Sequence, residues 1–458
     1  MTTVADRHRF LSPPEYAYLA TLVMFFVASF FPEQRVWGVN WWAYWPVGVR
    51  VGVLTLGMLV IPIVRRVAVM PALNTDDMTK RTYIVVAVAL VVGWGLLFYL
   101  LRARTHFLGD GYTLLSLMAT SDPLVKGRNL GGMLPQLWLS RALGEPSKEN
   151  VLLAYQTLSI AAGIVFLTTI IAVANRVIAR RMDRLLFLVF LATGGFMLQF
   201  FGYVENYALF LVSVLTFVVV GMLVAEQKLN RWWIVPCVIM ASVFHVFGVV
   251  LIIGAMYLLT VNTAPANWLQ KLSTMMKTSV ILPCIGVAGV AFGYFYTTDY
   301  YFRFAFVPII ADQFTVDGYT MFSAKHLLDF LNLLLVLLPG IIVAVPLMSR
   351  TQGRAISKQR VATFLSIVTI CSLGAAFVFD PKLGMPRDWD LFAFWAIPFS
   401  LLVWRLIAHS EINRRVAVVS ILLMISLSTL SLFSRALAQH QPTLAVEHFQ
   451  NYLLLAGC

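Results

Sequence analysis

A few short stretches concentrate the side chains able to move a proton or hold a phosphate. The first runs Arg104-Thr-His-Phe-Leu-Gly-Asp110-Gly-Tyr112. A carboxylate between two glycines, just beyond an apolar run, sits at a membrane surface on backbone that is free to turn. Taken alone, Asp110 reads first as a turn residue or a helix N-cap. The second stretch, Phe200-Phe-Gly-Tyr203-Val-Glu205-Asn206-Tyr207, places Glu205 at the junction of two apolar runs. An ionisable group is costly there and so marks a functional position; the plainer reading is a Glu reaching to headgroup level, with Tyr203 in an aromatic belt. The third, Ser242-Val-Phe-His245-Val-Phe-Gly248, offers a His that can donate to a phosphate oxygen or move a proton. A lone His is also a common packing residue. The fourth, Pro386-Arg387-Asp388-Trp389-Asp390, crowds charges beside an apolar run. It is either an internally paired ion network or a phosphate-and-sugar site, in which Arg387 grips phosphate with its planar fork, Trp389 stacks on a sugar, and Asp388 and Asp390 orient the Arg.

The elements that must carry these residues follow from composition. Of 458 residues, 60% are hydrophobic and 12% charged, against about 25% charged in soluble domains. That leaves too little polar surface for a water-soluble globule and excludes disordered, collagen-like and disulfide-rich classes. Cys237, Cys284, Cys371 and Cys458 show no disulfide or zinc spacing. A crossing helix needs about 20 apolar residues, and the chain offers such runs near 16–31, 43–64, 82–101, 150–174, 185–201, 204–224, 278–297, 326–348, 361–379, 391–408 and 416–433. The first is followed by no small-residue cleavage site, so it reads as a retained span. The run 232–260 is too long for one crossing and short for two. Treating it as a hairpin that turns near His245–Gly248 restores the alternation of basic loops, which otherwise fails at Arg350, Arg354, Lys358 and Arg360. The expectation is an all-α polytopic membrane protein of about 13 crossings, N-terminus in and C-terminus out. The net charge of +13 then reports topology, and no nucleic-acid partner is needed.

Short basic loops mark the inner side. The long connections 102–149 and 298–325 and the link 380–390 lie outside, and they are too rich in aromatics to be filler. Within 102–149, the apolar pieces 112–119 and 130–143 suit helices lying in the interface. There is no Walker loop, no GxGxxG opening a helix, no HExxH and no GxSxG. Energy must come from an activated substrate or a gradient.

This arrangement resembles the GT-C superfamily of membrane glycosyltransferases, which includes protein O-mannosyltransferases, the aminoarabinose transferase of lipid A and oligosaccharyltransferase. The resemblance covers roughly 82–325 and rests on Asp110 in LGDGY, Glu205 in GYVENY, His245 in SVFHVFG and the later outer loop 298–325, with Arg303 and Lys325 as cations. It implies transfer of a sugar from a polyprenyl-phosphate donor to a glycan, lipid or protein acceptor on the outer face of the membrane, here a bacterial inner membrane. Asp110 would be the general base of an inverting reaction, and Glu205 would hold a divalent ion, bind the acceptor or keep His245 protonated. If a metal is used, Asp110 and Glu205 are its expected ligands and Mg or Mn the expected ion; no cofactor is otherwise indicated. The chain departs from the family in four ways: two extra spans within 1–81, a single carboxylate in the first loop, no DxD in the outer turn, and spans 326–433 followed by a short amphipathic tail at 434–458. The segment Pro386–Asp390 matches no family motif. The alternative from another class is a carrier or flippase for lipid-linked sugars, which would need polar groups through the bilayer midplane.

Overall fold

The computed structural model describes residues 11–70, 78–260, 290, 293–310, 315–348, 360–410 and 412–456. Every regular element among them is a helix, joined by one isolated antiparallel bridge, Phe306 to Phe379. Helix α1 (Pro13–Ala28) begins with Pro at its first position and Glu15 in its first turn, where the helix dipole favours an acid. A loop with a 3-10 turn at Trp41–Tyr44 leads to α2 (Val47–Val67), and α3 is Lys80–Leu100. The first long connection holds two short helices, α4 (Gly111–Met118) and α5 (Leu130–Ala142), at the positions expected for interface helices. Then come α6 (Lys148–Val177), α7 (Arg181–Ala192), α8 (Ala208–Ala225), α9 (Ile234–Phe244) and α10 (Ile252–Thr260). The remainder comprises α11 (Tyr300–Phe304), α12 (Ala324–Leu337), α13 (Ile341–Met348), α14 (Arg360–Val378), α15 (Ala396–Ala408), α16 (Arg414–His440) and α17 (Pro442–Ala456).

Six described helices, α2, α3, α6, α8, α14 and α16, are long and apolar enough to cross a membrane. They fit a multi-pass membrane protein. Their placement follows from which faces are covered: 78% of the apolar window of α8 is buried, against 17% in α2 and 22% in α3. Helix α8 is therefore the axis of the bundle, and α2 and α3 present bare aliphatic faces to lipid, the only solvent in which such faces are stable.

The remaining expected crossings take other forms. The run 185–201 becomes α7 followed by a 3-10 turn at Gly195–Phe200, because Gly194 and Gly195 interrupt the helix. The run 326–348 is broken at Pro339-Gly340, and its two pieces meet at 96°. Proline supplies no amide hydrogen, and Gly340 lies against the backbone of Met424 where a Cβ would stand 3.0 Å from its Cα. The run 16–31 yields only the 16-residue α1, and 391–408 starts with a 3-10 turn before α15. Most of the expected span 278–297, together with Asp312, Arg350, Arg354 and Lys358, lies outside the described residues. The segment 232–260 does double back: α9 ends at His245, a 3-10 turn runs Val246–Leu251, and Arg231 at one end donates to the Leu259 carbonyl at the other, 3.0 Å away.

Arg50 sits in the first turn of α2, and its guanidinium donates to the carbonyls of Trp45, Ser29 and Ala43. The tail expected at 434–458 begins later, because α16 runs to His440 and buries Arg435 completely.

Candidate functional site

One end of the bundle gathers the turn after α3, the turn before α8, the tip of the α9–α10 hairpin, the link after α14 and the final helix α17. Asp110 occupies the N-cap position of α4, but its carboxylate makes no capping hydrogen bond. Its backbone N–H instead donates to Glu205 Oε1. The preceding Gly109 donates to the Arg387 carbonyl at 3.0 Å and has φ +63°. A Cβ there would collide with Glu205 Oε1 and stand 3.0 Å from Asp390 Oδ2. Glycine is thus required twice over, for its dihedral and for the close approach of two carboxyl groups. These contacts bring LGDGY, GYVENY and PRDWD, far apart in sequence, into one cluster.

The four carboxyl groups differ in environment. Glu205 and Asp390 are buried, Asp110 and Asp388 half-buried. Burial holds Glu205 well above the usual carboxylate range, and the charges of Asp390 and Asp110 push it further. Asp390 is raised well above its usual value by burial and then by Asp388, though its Oδ1 accepts from the Leu391 N–H at 2.9 Å. Asp388 is pushed up to about 7 by burial, even with the Leu383 N–H donating to its Oδ2 at 2.8 Å. Burial thus favours the neutral form of Glu205 and Asp390, and Asp110 is a half-buried carboxyl group beside them.

The surroundings fix these groups. Gln199 donates to the Asp390 carbonyl at 2.8 Å, and Tyr155 donates to Asn206 Oδ1 at 2.9 Å. A Cβ on Gly132 would stand 2.6 Å from the Asn206 carbonyl, and one on Gly131 2.9 Å from that of Val243. Those two glycines let α5 lie directly between the Glu205 turn and the hairpin tip. His245 at that tip is buried, its Nδ1 accepts from the Phe247 N–H at 3.2 Å, and its ring packs on Tyr207, Phe210 and Phe247. With Nδ1 accepting, the neutral ring carries its proton on Nε2.

The cations divide. Arg387 is half-buried over the ring of Phe449, 5.0 Å from its centroid, and that ring stacks on Phe107. Its Nε is buried with no hydrogen-bond partner among the described residues. Arg303 lies in α11, whose end meets the start of the 380–390 link where the Asp380 N–H donates to the Ala305 carbonyl at 3.0 Å, and Lys325 is exposed in the first turn of α12. Beside Lys325's helix, Asp317 and Asp329 both pair with Arg35, and Asp317 also accepts from the Met385 N–H at 3.3 Å. That ion network ties the α1–α2 loop and the 298–325 loop to the 380–390 link. Lys382 pairs with Asp380 at 2.6 Å.

Arg435, absent from the sequence expectations, lies under the cluster. Its guanidinium stacks 4.1 Å from the centroid of Trp389 and 5.0 Å from that of Trp41, and donates to the Val336 carbonyl at 3.1 Å. Trp389 is thereby buried with one face covered by a guanidinium, and Tyr203 lies against it at 6.0 Å. Arg435 Nε and Nη2, Trp389 Nε1, Tyr203 Oη and Asp390 Oδ2 are all buried without a hydrogen-bond partner among the described residues. The only sequence signal for Arg435 was that it ended an apolar run.

Among the described residues, no group of three or more His, Cys, Asp or Glu is placed to hold a metal ion. Glu205 Oε1 and Asp390 Oδ1 each accept from a backbone N–H. Two cavities lie at the opposite, arginine-rich end: about 310 Å³ beside Arg180 and Arg405, and about 210 Å³ beside Arg231 and Arg360. Comparisons with protein-family models, curated proteins and solved structures find no match.

Proposed function

We propose that the chain is an integral-membrane glycosyltransferase of GT-C type, which moves a sugar from a polyprenyl-phosphate donor to an acceptor hydroxyl at the carboxylate end. The observation that supports this reading best is the meeting of Glu205 and Asp390 at Gly109, next to Asp110, with the Arg387 carbonyl bonded to the Gly109 N–H. In the proposed step Asp110 takes the acceptor's hydroxyl proton. The acceptor oxygen bonds to the anomeric carbon, and the bond from that carbon to the phosphate oxygen breaks. The electron pair leaves with polyprenyl phosphate, whose added charge Arg387 would stabilise. One base and no covalent intermediate imply inversion. Burial of Glu205 and Asp390, which disfavours their charged forms, would spare the departing phosphate part of their repulsion. We place this end on the outer face of the membrane because the arginine-rich loops lie at the other.

A carrier or flippase for lipid-linked sugars is the second reading, and Arg435, buried inside α16, is the observation in its favour. Bond cleavage separates the two. Purified protein incubated with a panel of polyprenyl-phosphate sugars and simple glycan or lipid acceptors is expected to release free polyprenyl phosphate, detected by mass spectrometry. Donor binding with every donor recovered intact would reject the transferase.

A further inference from the structure

The last helix lies across the carboxylate end. Helix α16 gives way at Gln441, whose backbone is extended, and Pro442 opens α17. Proline has no N–H to carry the helical ladder through, so α17 is jointed to α16 and does not continue it. Ala445, His448 and Tyr452 lie on the buried face of α17, with Val446, Glu447, Gln450 and Leu454 exposed. Its Phe449 stacks on Phe107, three residues before Asp110, and Arg387 lies over the same ring. Asn451 donates to Tyr44 Oη at 3.1 Å, and Arg35 donates to the Leu455 carbonyl at 2.6 Å.

His448 sits at the centre of the buried face and is 3% exposed. The rings of Trp41, Tyr44 and Tyr452 surround it at 4.4, 4.6 and 4.4 Å between centroids. Its Nε2 is buried with no hydrogen-bond partner among the described residues, as are Tyr452 Oη and Trp41 Nε1. The titratable and charged groups around it are Tyr44 from the α1–α2 loop, Tyr452 from α17 itself and Arg435 from α16, which also covers Trp41. Glu447, next in sequence, points to the exposed face. Burial, and then the charge of Arg435, push the His448 imidazole down to about 3. A second proton would make both ring nitrogens donors beside a guanidinium, with no carboxylate bonded to the ring among the described residues. Once α17 lifts away, the same imidazole takes that proton near its ordinary value of about 6.5. The docked form is therefore fully favoured above about pH 6.5 and progressively less so as pH falls.

We propose that α17 is a strap over the carboxylate end that protonation of His448 releases, so that acid uncovers Phe107 and Arg387. The inference rests on α17 and its seat and does not depend on what the carboxylate cluster does. Its sign is opposite to that of Asp388 and Asp380, whose raised values favour the folded chain in acid.

The test is amide hydrogen exchange of the full chain in neutral detergent at about pH 7.5 and about pH 5.5, with rates divided by those of the unstructured peptide at each pH. Amides of 443–456 are expected to lose about tenfold in protection at the lower pH, the ratio set by an imidazole that titrates near 6.5 only when undocked, while those of α8 hold theirs. His448→Phe, which keeps an aromatic ring in the seat, and His448→Gln should each abolish the loss. Two other histidines at this end serve as controls: His440, whose Nδ1 meets the Arg102 carbonyl at 2.9 Å, and His106, buried against Tyr112 at 5.7 Å. His440→Gln and His106→Phe should each retain the loss. Equal protection at both pH values in wild type, a loss that survives in the His448 variants, or a loss shared equally by α8 would overturn the proposal. So would disappearance of the loss in either control. Should His448→Phe fail to seat α17 at neutral pH, His448→Gln decides.

Discussion

At the scale of single residues, the carboxylate cluster works by unequal burial. Glu205 and Asp390 are sealed in, which raises both carboxyls well above their usual range, whereas Asp110 is half-buried. A neutral isostere should therefore be tolerated at Glu205: Glu205→Gln keeps an acceptor for the Asp110 N–H and is expected to hold the thermal midpoint within about 2–4 °C of wild type. Glu205→Lys, which buries a cation among donors, should fail to accumulate as folded protein. Gly109→Ala must place a methyl group against two carboxyl oxygens at a positive φ. It is expected to cost about 1–3 kcal/mol and to displace Asp110, read as a lower midpoint together with loss of turnover. Arg435→Leu leaves the Val336 carbonyl without its donor and uncovers Trp389, at a cost of roughly 1–3 kcal/mol for the unsatisfied group; a midpoint equal to wild type would contradict the role given to Arg435. Asp110, Glu205 and Arg387–Asp390 were each legible in the sequence because charge beside apolar runs is costly. Their union was not, since it depends on how distant turns pack. Arg435 was hidden because a window of hydropathy cannot tell a charge that ends a helix from one buried within it.

At the scale of elements, the hydropathy of the runs was readable and their interruptions less so. Gly194-Gly195 and Pro339-Gly340 break runs that composition alone would continue. A helix surrounded by other helices can end early, because neighbouring helices meet the backbone groups that lipid cannot. The Gly131-Gly132 pair lets α5 pack directly on its neighbours, so Gly132→Val should push α5 off the Asn206 turn. Limited proteolysis within 120–130 is expected to become faster, and an unchanged digestion pattern would argue against that contact. The 380–390 link also sets a pH dependence. Asp388 in the folded chain titrates at about 7, against about 3.9 when unfolded, so the folded state keeps a proton that the unfolded state has released. The associated stability is fully present below about pH 4 and is lost as pH rises toward 7. Asp380, raised to about 6, acts in the same direction. Asp388→Asn should therefore lose less thermal stability than wild type between pH 5 and pH 8; an equal loss would assign the dependence elsewhere.

At the scale of the molecule, the bundle has two chemically opposite ends. Carboxylates, aromatic loops and α17 occupy one; Arg65, Arg176, Arg180, Arg231 and Arg414 mark the other. The hairpin joins them, since Arg231 lies at the arginine-rich end and the tip at His245 packs near Asn206. In a cysteine-free background, cysteines at Val246 and Arg104 are expected to react with an impermeant thiol reagent from the same side of the membrane, and a cysteine at Gln227 from the opposite side. Labelling of Val246 and Arg104 from different sides would contradict the doubled-back hairpin. The central claim concerns Asp110 as the working base, and its most direct test is the rate of sugar transfer by the reconstituted protein, wild type beside Asp110→Asn. Loss of a general base predicts a fall on the order of 10²–10⁴-fold with donor binding retained and the midpoint little changed. Transfer by Asp110→Asn at the wild-type rate would contradict the account.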